Sequence, residues 1–467
     1  MANFLINSAA VSVTGTEEKD TFQLTTGASA VTIQALGADD TVELSAISKL
    51  SDSVLLAGEG EDTISTLTAG TTLQGVSIGG SLGKDTITFG STAGTAGVNA
   101  VTVNGGQGND TLEFNADLSG TASALSINGG VGDDFVTVTD TDASFKAALF
   151  AGGKGDDELR FNDDGNYVTT TINGGLGEDI IDLSAGVISA AVINGGSNGV
   201  EDADTDSADS ININADTLNA TTVFGNGGDD QIFFSAGVDS KGLSVVGGQG
   251  KDAIRFENGS ATAATIGGGR GNDTITLSAG VLFGSSIIGG EGEDAITIAG
   301  QTTAGNSQNT IQGGGGADTI NFTTFGSGTA TFSYASNADS TLGTMDEVTL
   351  NTNSGVVNAL VGVGVGVFGG TAVTVSGQSA RVVDGFIDDF ASAGIDAGLT
   401  AAVEFLNEGL ATNQSVAFTL TAGSDTAYLF VQGGDTDLLV EYKGINTTIT
   451  LTAASVVGNS KLIMDIS

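Results

Sequence analysis

Apolar residues recur along most of the chain in a short alternating pattern that keeps a fixed distance from an aspartate. A large apolar residue stands two positions after each such aspartate, as at Phe22 and Ile275, and an apolar residue follows four positions after it in every copy except the one with Thr66. A further apolar residue, such as Val103 or Ile311, precedes the aspartate by seven positions. This alternation predicts two half-buried strands in each repeat, one on either side of a turn.

The repeated aspartate occurs 14 times between Asp20 and Asp318, on average about 23 residues apart. A Ser-Ala-Gly-Val sequence at 184–187, 235–238 and 278–281 predicts a second turn in the repeat. One repeat cannot bury its apolar face alone, but stacked repeats can. The pattern therefore predicts an all-β fold: a right-handed parallel β-roll or β-helix solenoid of about 14 coils with a mainly-β C-terminal cap domain. The chain has no proline, which would remove ladder hydrogen bonds from such coils.

The turn before the aspartate is rich in glycine. The sequence Gly-Gly-x-Gly-x-Asp-x-aliphatic-x begins at Gly105, Gly129, Gly152, Gly174, Gly247, Gly289 and Gly313. Glycine suits a tight reversal, but it does not explain an aspartate in every copy. Stacking would place the carboxylates in a column, where charges about 4 Å apart repel by about 1 kcal/mol per pair even in water.

Calcium is the cation that best fits such a column, because Ca²⁺ takes roughly six to eight oxygen ligands from carboxylates and backbone carbonyls. The alternative is that each aspartate only caps N–H groups of its turn. We favour multiple Ca²⁺ ions stacked between coils. The predicted ligands are Asp62, Asp85, Asp110, Asp134, Asp157, Asp179, Asp209, Asp230, Asp252, Asp273, Asp294 and Asp318.

Five further aspartates are candidate ligands in less regular surroundings. Asp20 and Asp40 follow turns that lack the paired glycines. An insertion of about nine residues before Asp209 contains Asp202, Asp204 and Asp206, whose spacing suits a calcium loop of oxygen ligands. A solvated acidic loop is the alternative interpretation of that insertion.

The nonapeptide resembles the repeat of RTX proteins, which are calcium-binding proteins secreted by bacteria, and the resemblance covers about residues 15–321. It implies a parallel β-roll with calcium in its turns, release through a type I apparatus that recognises an uncleaved C-terminal signal, and folding outside the cell in millimolar calcium. RTX rolls often carry the glycine turn on both sides of the coil. Here one side alone carries it, so we expect one calcium column.

Three regions follow from the extent of the repeat. Residues 1–14 form an N-terminal edge segment, residues 15–324 the RTX-type calcium-binding β-solenoid, and residues 325–467 a β-rich C-terminal region for capping, assembly and type I secretion. The C-terminal sequence predicts a short helix near 401–410 and a hairpin of 428–431 with 438–442. Its end resembles the ends of RTX surface-layer proteins.

Composition and charge exclude several classes of function and partner. The chain has 13 Lys+Arg, 56 Asp+Glu and a net charge of -43, which argues against nucleic acid as a partner. It has no cysteine or histidine, which excludes Cys/His zinc sites, catalytic triads and disulfides. There is no apolar run long enough for a membrane span and no basic segment typical of a signal peptide. We expect an extracellular or cell-surface protein secreted without an N-terminal signal peptide.

Three functions fit the sequence, in decreasing order of support. The first is a non-enzymatic structural protein that folds on Ca²⁺ and assembles with itself, head to tail or in a lattice, into a surface layer or matrix fibre. The second is an RTX adhesin that binds cell-surface glycan or lipopolysaccharide. The third is a polysaccharide lyase, for which Lys154, Lys251, Arg160, Arg255 and Arg270 are scattered candidates without a cluster.

Overall fold

Strands dominate the part of the chain that the structure describes. The computed structural model describes residues 2–466 except 8–9, 26, 45–46, 48, 67–71, 91–96, 115–120, 140–143, 163–164, 197–206, 236, 258, 279–281, 300–308, 324–328, 334–338, 353–354, 362–365, 368, 370–371, 376–377, 383–385, 388–389, 391–397, 421–423, 434–435, 446–448 and 457–458. The chain forms two compact units, Met1–Gln249 and Gly250–Ser467. The domain ranges that we derived from the sequence stay predictions.

Each coil of unit 1 contains one strand before the glycine turn and one after it. We call the sheet of preceding strands the leading sheet and the sheet of following strands the trailing sheet. The leading strands are Ser12–Thr14, Thr32–Gly37, Val54–Glu59, Ser77–Leu82, Thr102–Gln107, Ser126–Val131, Leu149–Lys154, Thr171–Leu176, Val192–Gly196, Thr222–Gly227 and Ser244–Gln249. The trailing strands are Asn3–Ile6, Thr21–Leu24, Thr41–Glu43, Thr63–Thr66, Thr86–Phe89, Thr111–Phe114, Phe135–Val138, Glu158–Asn162, Ile180–Ser189, Ser210–Asn219 and Gln231–Phe234.

Neighbouring coils pair in parallel and in register, so equivalent residues stack in columns. Val103 pairs with Ile127 in the leading sheet, and Leu112 pairs with Val136 in the trailing sheet. These four side chains are fully buried. The prediction of two half-buried strands in each repeat is therefore confirmed. Along each strand, apolar side chains that fill the interior alternate with side chains that face outward.

A third, short strand completes most coils and was not predicted. These strands are Ala28–Ser29, Lys49–Ser51, Thr72–Gln74, Gly97–Asn99, Thr121–Ser123, Ser144–Lys146, Asn166–Val168 and Asp239–Lys241. The turn predicted at 184–187 is wrong, because those residues lie within the continuous strand Ile180–Ser189. The adjacent strand Ser210–Asn219 is equally long and pairs with it over both halves, which keeps the chain extended there.

Unit 2 begins with the same coil organisation. Its leading strands are Thr265–Arg270, Ser286–Glu291, Thr310–Gly315, Thr329–Ser333 and Gly355–Val361. Its trailing strands are Ala253–Glu257, Thr274–Ser278, Ala295–Ala299, Thr319–Phe322 and Asp346–Thr352. Its short strands are Ser260–Thr262 and Leu282–Phe283. The remaining strands are Gly366–Val367, Ala372–Val375, Gln378–Arg381, Phe386–Ile387, Gln414–Phe418, Thr426–Val431, Leu438–Ile445, Ile449–Val456 and Asn459–Ile466.

The C-terminal strands cover the end of the solenoid in unit 2. Leu438–Ile445 pairs in parallel with Asp346–Thr352, where a further coil would otherwise lie, and Asn459–Ile466 pairs antiparallel with Gly355–Val361. A solenoid end needs such a cover because its open edge has unpaired N–H and C=O groups.

The predicted helix and hairpin of the C-terminal region are confirmed. Helix α1 spans Leu399–Gly409, and Thr426–Val431 pairs antiparallel with Leu438–Ile445. Helix α1 contributes Phe405 and Leu406 to a second apolar core that includes Phe390 and Phe418. No helix among the described residues is long and apolar enough to cross a membrane.

The predicted fold class is confirmed: a parallel β-solenoid followed by a mainly-β C-terminal region.

Candidate metal centre

The glycine turn lets the backbones of neighbouring coils approach closely. Gly130 has a φ of 124°, and a Cβ placed on it would lie 2.1 Å from the carbonyl oxygen of Gly106 in the preceding coil. Side chains are excluded there both by conformation and by space. The turn at 35–38 keeps a similar backbone without paired glycines, because Leu36 and Ala38 adopt φ values of 88° and 68°.

One carboxylate oxygen of each repeat aspartate links two coils. The N–H of Asp110 donates to Oδ1 of Asp134 in the following coil at 2.8 Å, and the N–H of Asp134 donates to Oδ1 of Asp157 at 2.7 Å. In unit 1 this series runs from Asp20 to Asp230. In unit 2 a separate series runs from Asp252 to Asp346. The structure therefore gathers the predicted repeat ligands into one column in each unit, and every member is 0 to 2% exposed.

The second carboxylate oxygen has no hydrogen-bond partner among the described residues in many of these aspartates. This holds for Oδ2 of Asp40, Asp62, Asp85, Asp110, Asp134, Asp157, Asp294, Asp318 and Asp346. A buried carboxylate oxygen without a partner is costly, since it has lost its water and gained nothing in return. A cation beside these oxygens would remove that cost.

A carbonyl oxygen of the next coil lies close to the carboxylate in most coils whose turn begins with glycine. A Cβ placed on Gly129 would lie 2.3 Å from Oδ2 of Asp134 and 2.6 Å from the carbonyl oxygen of Gly152, so these two oxygens are at most about 5 Å apart. One Ca²⁺ can contact both, because its bonds to oxygen are about 2.3–2.6 Å long. The same pair of oxygens surrounds Gly80, Gly105, Gly152, Gly174, Gly225, Gly268 and Gly289.

Burial makes these carboxylates hard to ionise without a cation. It raises the pKa of Asp85 and Asp134 from 3.8 to about 7, although the N–H groups that they accept lower it. Burial, together with the charges of Asp179 and Asp134, raises the pKa of Asp157 to about 8. A bound cation has the opposite effect, because it favours the charged form.

The donor set fits Ca²⁺. All donors are oxygens, which hard cations prefer, and adjacent coils contribute both carboxylates and carbonyls. Among the described residues, no three or more acidic, histidine or cysteine side chains form a group that could hold a metal. Each ion would therefore depend on one or two aspartates together with backbone carbonyls. The hydrogen bonds of Oδ1 differ from the capping alternative, because the N–H that Oδ1 accepts belongs to the neighbouring coil and not to the aspartate's own turn.

The N-terminal aspartates differ from the rest of the column. Although burial opposes it, hydrogen bonds from Ala2 and Thr16 lower the pKa of Asp20, and Oδ2 of Asp20 accepts from the Thr16 N–H at 2.7 Å. Asp20 thus caps an N–H of its own turn, as the alternative interpretation describes. Five positions before Asp40 and Asp62 stand Ala35 and Ala57, which are buried and bring a methyl group to the position that glycine leaves open elsewhere.

Asp346 extends the column of unit 2 and was missed in the sequence. Its Oδ1 accepts from the N–H of Asp318 at 3.2 Å, and burial raises its pKa to about 8. The signal was present, since Val348 and Leu350 stand two and four residues after it, but no glycine turn precedes it. Beyond Asp346 the column ends at Ser340, whose Oγ accepts the Asp346 N–H at 2.8 Å.

The remaining candidates are the aspartates of the insertion and the basic residues. Asp202, Asp204 and Asp206 lie outside the described residues. Of the basic residues considered for a lyase, Arg160 pairs with Glu158 and Asp182, Arg255 with Glu257, and Arg270 with Glu291.

Fold and site together define a class of protein: a parallel β-solenoid with buried carboxylate columns beside its glycine turns. Residues 94–117, 222–240 and 303–322 match the family model of the RTX calcium-binding nonapeptide repeat (4 copies). The protein carries RTX repeats, as its sequence suggested. A comparison with curated proteins found no match.

Proposed function

We propose that this protein is a secreted, non-enzymatic structural protein that orders on binding Ca²⁺ outside the cell and assembles with itself into a surface layer or matrix fibre. The observation that carries the proposal is the run of buried carboxylates from Asp40 to Asp157, whose second oxygens have no hydrogen-bond partner among the residues that the structure describes. Ligands from adjacent coils are close enough to share an ion only when the coils are stacked. The free energy of calcium binding therefore stabilises the folded state. RTX-repeat proteins are typically secreted, which agrees with this role.

Self-assembly is supported by the edge of unit 1. Asn3–Ile6 pairs with Thr21–Leu24 and Ser12–Thr14 pairs with Thr32–Gly37, and neither has a partner on its other edge among the described residues. Leu5 on this edge is 62% exposed. Unpaired strand edges accept strands from other molecules. A head-to-tail contact through this edge would propagate rather than close.

Negative-stain electron microscopy of the full chain tests the proposal, in a chelator and in millimolar Ca²⁺. We expect ordered sheets or fibres in Ca²⁺ and none in the chelator. Circular dichroism on the same samples reports whether strand content forms with the ion. Single particles at all Ca²⁺ concentrations would contradict assembly, and unchanged circular dichroism would contradict folding on calcium.

A second candidate, an adhesin, is favoured by one outward column. The residue after the buried aspartate faces outward and is threonine in five successive coils of unit 1, which pair in register: Thr21, Thr41, Thr63, Thr86 and Thr111. Regularly spaced hydroxyls suit a repeating polar polymer. Binding of the Ca²⁺-loaded protein to a glycan array, lost on replacing Thr63 and Thr86 by valine, would support this function over assembly.

A further inference from the structure

The outward face of the leading sheet in unit 1 has no charged residue at its central positions. The first and third residues of each leading strand flank its second residue, which gives 22 positions in 11 strands, and none is Asp, Glu, Lys or Arg. All of these positions are at least partly exposed except Gly79 and Asn194, which are buried. At the chain's charged fraction of 15%, about three charges would be expected there. The equivalent positions of the trailing strands include Glu43, Glu113, Glu158, Arg160 and Asp182. We call these 22 positions the uncharged face.

Exposed apolar side chains concentrate on the same sheet. Unit 1 has six exposed large apolar residues among those described, and four of them lie on leading strands: Leu36, Leu82, Val131 and Leu149. Leu149 belongs to the uncharged face, and the other three border it near the glycine turn. Glu59 and Lys154 lie in the same column as Leu82 and Val131, so charged residues begin at the margin of the uncharged face.

The net charge identifies where two copies can meet. At -43, copies of this chain repel one another wherever acidic surfaces approach. The uncharged face avoids that repulsion and offers amides such as Asn104 and Asn128 together with apolar groups. Charged residues are also depleted at the centres of protein interfaces.

The size of the face is sufficient for a specific contact. Eleven strands about 4.8 Å apart and about 13 Å of strand length give about 600 Å² per copy, which is about 1,200 Å² for a pair. That area lies at the lower end of specific interfaces, which begin at about 1,200 Å².

We propose that the uncharged face of unit 1 packs against the same face of a second copy, with a two-fold axis between them. This inference rests on the proposed self-assembly and names the lateral contact, which is separate from the end contact at Asn3–Ile6. A layer needs contacts in two directions, and the end contact supplies one. A glycan is the less favoured occupant, because sugar rings stack on aromatic side chains and Phe224 alone is aromatic among the 22 positions.

The test introduces like charges at the centre of the face. Thr102 and Leu149 are exposed and flank the central strand Ser126–Val131, so a two-fold axis through that strand brings them near each other across the interface. The test variant is Thr102→Glu/Leu149→Glu. The matched control is Asn162→Glu/Gln231→Glu, which adds the same charge at exposed positions of the trailing sheet.

Sedimentation velocity in millimolar Ca²⁺ compares the two variants with the wild-type protein, and circular dichroism checks that each is folded. We expect the test variant to weaken lateral association by about tenfold or more and the control to associate normally, because like charges facing each other across an interface oppose binding. Electron microscopy should then show single strands of end-linked molecules in place of sheets.

Three results would overturn the inference. Normal association of the folded test variant would exclude this face while leaving the proposed assembly intact. Equal loss in the control would show that added charge alone is responsible. A wild-type protein that stays monomeric contradicts the proposed assembly itself, and if it binds a neutral glycan that the test variant fails to bind, the face belongs to that glycan.

Discussion

The two oxygens of one aspartate carboxylate have different roles in this fold. In Asp134, Oδ1 accepts an N–H from the preceding coil, while Oδ2 has no hydrogen-bond partner in the described part of the chain and lies near a carbonyl oxygen of the following coil. An amide has one oxygen and can serve one of these roles but not both, because its nitrogen carries hydrogens and neither accepts an N–H nor binds a cation. Substitution by asparagine therefore removes either the hydrogen bond or the metal contact.

We expect Asp134→Asn to have opposite effects with and without calcium. In Ca²⁺ the variant should bind about one ion fewer and melt at a lower temperature, by about 1 °C for each kcal/mol of stability lost in a chain of this size. In a chelator it should melt at the same or a higher temperature, because a buried carboxylate has been removed. Calorimetry measures both quantities. Asp133→Asn is the control, since it changes the same charge on the exposed neighbour, and an equal effect there would contradict the assignment.

The raised pKa values of the column predict a pH dependence of the calcium-free protein. The pKa of Asp85 and Asp134 is about 7 and that of Asp157 about 8 in the folded protein, against 3.8 when unperturbed. Between about pH 4 and pH 8 the unfolded chain has lost protons that the folded chain keeps, so the stability of the folded state falls as pH rises. Denaturant titrations in a chelator at several pH values measure this trend.

Calcium should weaken or reverse that trend, because the ion binds the ionised carboxylates. A calcium-free stability that increases from pH 4 to pH 8 would show that the buried carboxylates are ionised without a cation and would remove the main argument for the ion.

At the scale of the coil, the first glycine of each turn keeps the space beside the carboxylate open. We expect Gly129→Ala to reduce calcium affinity and to destabilise the calcium-bound protein by about 1–3 kcal/mol, since its Cβ would lie 2.3 Å from Asp134 Oδ2. Gly79→Ala is the matched control, because its Cβ would lie 3.2 Å from the end of the flexible Leu56 side chain and 3.9 Å from the carbonyl oxygen of Asn104, away from any repeat aspartate. Calcium titrations monitored by circular dichroism compare the two, and equal affinity would contradict the site.

The repeat made most of the coil predictable from the sequence. The spacing of apolar residues around the aspartate identified both long strands, and the recurrence of the aspartate identified the column. The short strands were not predictable, because two or three residues such as Ala28–Ser29 carry no period of their own. Asp346 was not predicted because no glycine turn precedes it. The different roles of Oδ1 and Oδ2 were not predictable either, because they depend on how neighbouring coils stack.

At the scale of the whole molecule, charge opposes compaction until cations bind. We expect small-angle scattering to show a radius of gyration about twofold larger in a chelator than in Ca²⁺, as for an unordered chain. Mg²⁺ at equal ionic strength should compact the protein less, because it keeps its own waters and needs stricter octahedral geometry. Equal radii in all three solutions would show that the solenoid is stable without its ions.

The hydrogen bonds between aspartates all point the same way along the chain, and this gives growth of the solenoid a preferred direction. Each N–H of the column reaches a carboxylate that lies later in the sequence. If coils are added toward the N terminus, the aspartate N–H of each new coil finds its carboxylate acceptor already formed. If coils are added toward the C terminus, the N–H of the last coil has no acceptor until the next coil forms. In unit 2 the final acceptor is Ser340, so ordered growth there can start from the C-terminal side. We therefore expect the rate at which the coils order to depend on which end of the chain is released first during secretion.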